Sequence, residues 1–130
     1  MTLSQIKQTV FPGVIIPKPL SKQVYVVVGW GRSRGEEALV YRLPPKPNTK
    51  KASTKRIPAS VFEEANKELR GTGQITRVWF QRSFPVVDAD GDCNFTTLGG
   101  VFELLGRAVY ARPGVYKKVS KPASPEGTGI

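Results

Sequence analysis

The chain predicts an α+β fold, and three stretches carry that expectation. Residues 24–29 (VYVVVG) and 38–43 (ALVYRL) are β-branched and aromatic almost throughout, with a glycine-rich stretch between them. Such runs separated by turn residues read as an antiparallel hairpin. Ser60-Val61-Phe62-Glu63 has the S-x-x-E pattern that opens a helix: the hydroxyl accepts from a free backbone N–H, and the carboxylate accepts from the cap's own N–H. Leu98, Val101, Phe102 and Leu105 fall at i, i+3, i+4 and i+7, the apolar stripe of an amphipathic helix. Two more β-rich segments, 107–111 and 115–119, follow that helix at once.

Composition narrows the class. At 130 residues the expectation is one globular domain over 1–119, with a hairpin-containing part at 1–45, a basic linker at 46–56 and a helical part with its own hairpin at 57–119. The Pro/Gly/Ser-rich stretch 120–130 reads as a flexible tail. There are 20 Lys+Arg against 10 Asp+Glu, a net charge of +10 and a pI near 10.1. That excess favours polyanionic partners. It is concentrated in residues 1–58, which hold 11 Lys/Arg and 2 Asp/Glu, whereas 59–130 hold 9 and 8. The single cysteine, Cys93, excludes an intrachain disulfide framework, and the absence of histidine excludes Ser-His and Cys-His dyads and every His-ligated metal site. No apolar run approaches about 20 residues, so no membrane span is expected. No signal-peptide-like apolar region stands near Met1, so a cytoplasmic, intracellular location is expected.

In chain order, 2–10 reads as a short helix capped by Thr2 or Ser4, with Leu3, Ile6 and Val10 on one face. The run 14–16, stopped by Pro17 and Pro19, reads as an edge strand. The 24–29 and 38–43 strands enclose a loop at 30–37 bearing Arg32 and Arg34. Residues 44–56 (PPKPNTKKASTKR) read as an exposed polar linker outside the core. The helix from Ser60 buries Val61, Phe62, Ala65 and Leu69 and ends at Gly71 or Gly73. A second helix is expected over 75–83, limited by Pro85, then a loop over 85–94, then the helix over 96–105 with Gly106 ending it in the left-handed region. Arg112-Pro113-Gly114 is the turn of the last hairpin.

This succession, three helices and then a basic hairpin over residues 57–119, resembles a winged helix-turn-helix domain. The resemblance implies DNA binding, with the hairpin as a wing whose cations meet phosphates or the minor groove. The 85–94 loop is longer than the turn usual before a recognition helix. The outward face expected for that helix, Thr96, Thr97, Gly99, Gly100 and Glu103, holds no side chain of the kinds that read bases. Its small residues suit close packing or a protein interface instead.

The expected nucleic-acid-binding residues are therefore Arg32 and Arg34 in the 30–37 loop, Lys46, Lys50, Lys51, Lys55 and Arg56 in the linker, and Arg107, Arg112, Lys117 and Lys118 in the wing. Arginine forks suit phosphate oxygens, and a cationic segment without acids supplies salt-dependent, sequence-independent affinity. For Arg32 and Arg34 the alternative is pairing with Glu36 and Glu37, and for the wing it is a sheet edge guarded by lysine. Trp30, beside the arginines, is the aromatic best placed to stack on a base. Asp88, Asp90 and Asp92 resemble the start of an EF-hand calcium loop, but Cys93 replaces its turn glycine and Gly99 its closing glutamate. No metal and no cofactor are expected. Asp92, Asn94 or Thr96 would instead cap the helix that follows. The expected function is non-catalytic nucleic-acid binding to DNA or RNA. The alternative is a module contacting a protein partner or forming a homodimer through the Gly99–Gly100 face, and a metal-dependent nuclease or calcium-binding domain stands behind both.

Overall fold

The computed structural model describes residues 1–45 and 53–119. The 120–130 tail and the linker cations Lys46, Lys50 and Lys51 lie outside the described residues. Among the described residues the chain is α+β, with five helices and two antiparallel sheets. The first sheet has the order β1-β2-β3-β4, from Ile15–Ile16, Tyr25–Ser33, Glu36–Arg42 and Thr54–Pro58. The second has the order β5-β7-β6, from Gln74–Thr76, Val115–Lys118 and Ala108–Arg112.

Helix α1 (Leu3–Thr9) is capped by Thr2, which shares a reciprocal capping box with Gln5. It turns Ile6 and Val10 inward, and the indole N–H of Trp30 donates to Val10 O at 2.9 Å. The Trp30 ring packs against Phe62 at 6.0 Å and so belongs to the core margin, not to a stacking platform.

The first hairpin is tighter than expected. Trp30, Gly31, Arg32 and Ser33 continue β2, and the turn is only Arg34-Gly35, both at positive φ. Two left-handed central residues give a turn whose twist matches the strands, so pairing extends to Ser33↔Glu36. The 44–56 stretch also departs from expectation. Thr54–Pro58 forms β4 along β3, with Tyr41↔Lys55 and Leu39↔Ile57. Ladder hydrogen bonds depend on backbone, so a lysine- and arginine-bearing segment joins the sheet while Ile57 carries it into the core.

Helix α2 (Ala59–Thr72) has its N-cap at Pro58, two residues before Ser60, and the Ser60–Glu63 box does not form. Glu36 takes its place: its carboxylate accepts from Ser60 N at 2.8 Å and from Ser60 Oγ at 2.9 Å. The Ala38↔Pro58 pairing brings β3's first residue to the helix start, where a carboxylate also meets the favourable end of the helix dipole. Ile75 lies in β5 opposite Tyr116, and α3 is Arg77–Ser83, capped by Thr76. Pro85 does more than limit α3. It occupies the first turn of a further helix, α4 (Pro85–Asp90), in the stretch expected to be a loop, where its missing N–H costs nothing.

Helix α5 (Cys93–Leu104) buries Leu98, Val101 and Phe102 as expected, and Gly106 leaves it at φ 70°. Asp92 stands at its N-cap, but its side chain makes no capping bond. Its other flank is not outward. Thr97, Gly99 and Gly100 are buried too, Gly99 beneath the Tyr116 ring and Gly100 against Ile16 and the Pro17 carbonyl. Those glycines serve packing within the chain and are not available as an assembly interface. Phe95 stacks on Phe80 at 5.7 Å and on Tyr116 at 5.6 Å, joining α3 to the second sheet. Asn94, fully buried, accepts from Tyr41 OH at 2.6 Å and donates to Val87 O at 2.8 Å, which satisfies both ends of its amide. Each of these buried aromatics contributes about 1.5–3 kcal/mol.

Candidate nucleic-acid interface

The turn between β2 and β3 and the adjoining part of β4 gather four of the expected cations. Arg32 Nη2 closes the turn on Gly35 O at 2.6 Å. Arg56 reaches across β3, and its Nη1 donates to Arg32 O at 2.8 Å. Arg34 Nη2 lies 3.5 Å from Asp90 Oδ2, and Lys55 Nζ donates to Asp90 O. Ser33, Thr54, Lys55, Arg56 and Asp90 line an open groove of about 250 Å³ at this place. Of the glutamates offered as alternative partners, Glu36 holds Ser60, and Glu37, which stands opposite Arg32 in the hairpin, is paired with Lys7. Arg34 alone meets the Asp90 carboxylate; Arg32 stands directly across the hairpin from Glu37, and Arg34 also shares a surface pocket with Glu36. Arg34 and Asp90 are both half exposed, so their attraction is screened and small.

The wing cations do not share one face. Lys117 stands between Val109 and Gln74 on the outer side of the second sheet. Lys118 and Arg107 lie at the sheet's end, where with Arg70 of α2 they line a pocket of about 320 Å³. Asn66 lines the same pocket, and its buried Oδ1 has no donor among the described residues. Arg112 is exposed at the opposite, turn end of the hairpin. Arg70 gives no signal as a binding residue in the sequence, since it reads as one more cation in the last turn of a helix.

The three aspartates do not form one cluster: Asp88 Oδ1 is 3.1 Å and Asp92 Oδ1 3.9 Å from Arg77 Nη2, whereas Asp90 faces Arg34. Among the described residues no group of three or more His, Cys, Asp or Glu is placed to hold a metal ion. These acids pair with cations from α3 and the first sheet.

The most unusual ionisable group lies elsewhere. Lys18 is mostly buried, and its Nζ donates to Cys93 O at 3.1 Å and to Thr96 Oγ1 and Thr97 Oγ1 at 2.8 Å each. It also lies 4.1 Å from the Tyr25 ring centre. Burial pushes its ammonium down to about 8. Tyr41, buried and hydrogen-bonded to Cys93 Sγ at 3.1 Å, has its phenol pushed up by the same loss of solvent, as does Tyr116. Lys18 shows no local motif, because its partners are 75 to 79 residues away.

No known protein family, characterised protein or solved structure matches this chain.

Proposed function

We propose that this protein binds nucleic acid through its phosphates, largely without regard to base sequence, and catalyses no reaction. The observation that carries this is the grouping of Lys55 and Arg56 in one groove, with Arg56 bonded to the Arg32 carbonyl and Arg34 paired with Asp90 of the same groove. Guanidinium forks and ammonium groups suit phosphate oxygens. The order of elements from α2 to β7, with β5 as the outer strand beside β7, supports the winged helix resemblance, α4 filling the long connection before α5. Burial of α5 argues that bases are not read by that helix, which agrees with binding that ignores sequence.

Fluorescence anisotropy with labelled duplex and single-stranded oligonucleotides over a salt series tests this. Affinity should fall steeply with salt, and the Arg32→Ala/Arg34→Ala/Lys55→Ala/Arg56→Ala variant should lose most of that dependence. Absence of binding at low salt would refute it.

A second reading rests on a separate observation. Phe11, Ile15, Val24 and Val28 are each about half exposed around the edge strand β1. Such a patch supports contact with a protein partner or a second copy. A concentration-independent monomer by light scattering, with Ile15→Lys behaving as wild type, would dispose of a homodimer.

A further inference from the structure

A cleft separate from the cationic groove opens between the segment before β2 and the tip of the last hairpin. Lys18, Tyr25, Thr96, Tyr110, Pro113 and Tyr116 are its main walls, and its volume is about 320 Å³. Three features define what fits. The walls are aromatic: Tyr25 and Tyr110 are each partly exposed, and Tyr110 is braced edge-on against buried Tyr116 at 5.6 Å. The floor is fixed: Lys18 sits against the Tyr25 ring and is itself saturated by three acceptors, so it holds the ring and does not reach for a ligand. Exposed cations stand next in the chain to two lining residues: Lys22 follows Ser21, and Arg112 precedes Pro113.

A largely apolar slot with aromatic walls, flanked in the chain by exposed cations, suits a flat ring joined to an anionic chain. We infer that this cleft takes an unstacked base of a single-stranded nucleic acid, with the flanking phosphates at Lys22 and Arg112. The inference rests on the nucleic-acid function proposed above and adds strand selectivity to it. A base held in a duplex cannot enter such a slot without leaving its stack. Base–aromatic stacking tolerates any sequence, since every base offers a π face. Single strands are therefore preferred without a preference for sequence.

The test uses the full chain and a single-stranded oligonucleotide carrying 2-aminopurine, whose fluorescence reports stacking. Wild type should quench the probe and bind the single strand about tenfold or more tightly than a duplex of equal length. Tyr110→Leu and Tyr25→Leu, each checked for an unchanged melting temperature, should lose the quenching and about tenfold in affinity for single strands, while duplex affinity stays the same. Equal binding of both forms without quenching by wild type would overturn the cleft assignment and leave the phosphate-contacting function standing. Absence of binding to either form would overturn both. Because the quenching is read on the wild-type protein, the outcome does not depend on any variant folding.

Discussion

Arg56 lies in the space that Gly31 leaves by having no side chain. A Cβ at Gly31 would stand 2.7 Å from Arg56 Nη1, the nitrogen that donates to Arg32 O. A glycine two strands away thus sets the direction of a candidate phosphate ligand. Gly31→Ala should displace the guanidinium, which is the flexible end of its side chain, at a cost within about 1 kcal/mol of stability. The slope of log affinity against log salt should shrink by about one contact. An unchanged slope in anisotropy titrations would show that Arg56 makes no phosphate contact.

The Asp90 carboxylate holds Arg34 in the free protein and competes with any phosphate for it, while Lys55 donates to the Asp90 main-chain carbonyl. Asp90→Asn should raise affinity for oligonucleotides several-fold at low salt, and the gain should shrink as salt is added. The same substitution should barely move the melting temperature, because exposed ion pairs contribute about 0–1 kcal/mol. Weaker binding by Asp90→Asn would mean that Asp90 positions the cations for binding instead of sequestering them.

Glu36, not Glu63, closes the start of α2. Glu36→Ala should cost about 1–2 kcal/mol in urea unfolding, as loss of a helix cap does. Glu63→Ala, at an exposed site with no such bond, should stay within about 0.5 kcal/mol. The reverse ranking would restore the Ser60–Glu63 box.

Gly99 lies so close beneath the Tyr116 ring that no Cβ fits without moving it. Tyr116 is fully buried and cannot swing to solvent, so Gly99→Ala should destabilise by about 3 kcal/mol or more. Tyr116→Leu should recover part of that loss in the double variant, because it vacates the contested volume. Additive losses in a double-mutant cycle would count against this contact.

The buried Lys18 makes stability depend on pH in a defined window. Its ammonium is pushed from 10.5 down to about 8 in the folded state. Between those values the unfolded chain keeps a proton that the folded chain has released, so stability should rise with pH, by about 2 kcal/mol from pH 8 to 10. Tyr41 and Tyr116 are shifted upward, so above about pH 10 the unfolded chain ionises first and stability should fall again. Urea titrations at stepped pH should show a maximum near pH 10. Lys18→Met should abolish the rise and keep the fall.

Local pattern made some of this architecture legible. The period of Leu98, Val101 and Phe102 identifies the core face of α5, and β-branched runs identify β2 and β3, because both signals come from neighbours in sequence. What decided the remainder lies far away along the chain. Gly99 and Gly100 look like an outward face until Tyr116 and Pro17 are brought against them. Thr54–Pro58 has the composition of a linker and is a strand only because β3 offers it a ladder. Arg32, Arg34, Lys55 and Arg56 are visible as cations, but the reach of Arg56 to the Arg32 carbonyl and of Lys55 to Asp90 depends on that same strand. Wing cations that look like one set in sequence are divided by strand alternation, which sends Lys117 and Lys118 to opposite sides. Lys18 is one lysine among many until its three acceptors are known.

The Lys18 contacts also bear on the order in which the chain assembles. They join residues 75 to 79 positions apart, so they close one of the largest loops in the molecule. Loops of that size are entropically late to close, whereas α2 to β7 can form from nearer neighbours. The segment at Ile16 to Lys18 is then a clasp fastened over a nearly finished body. Loosening it is expected to speed unfolding with little effect on the refolding rate.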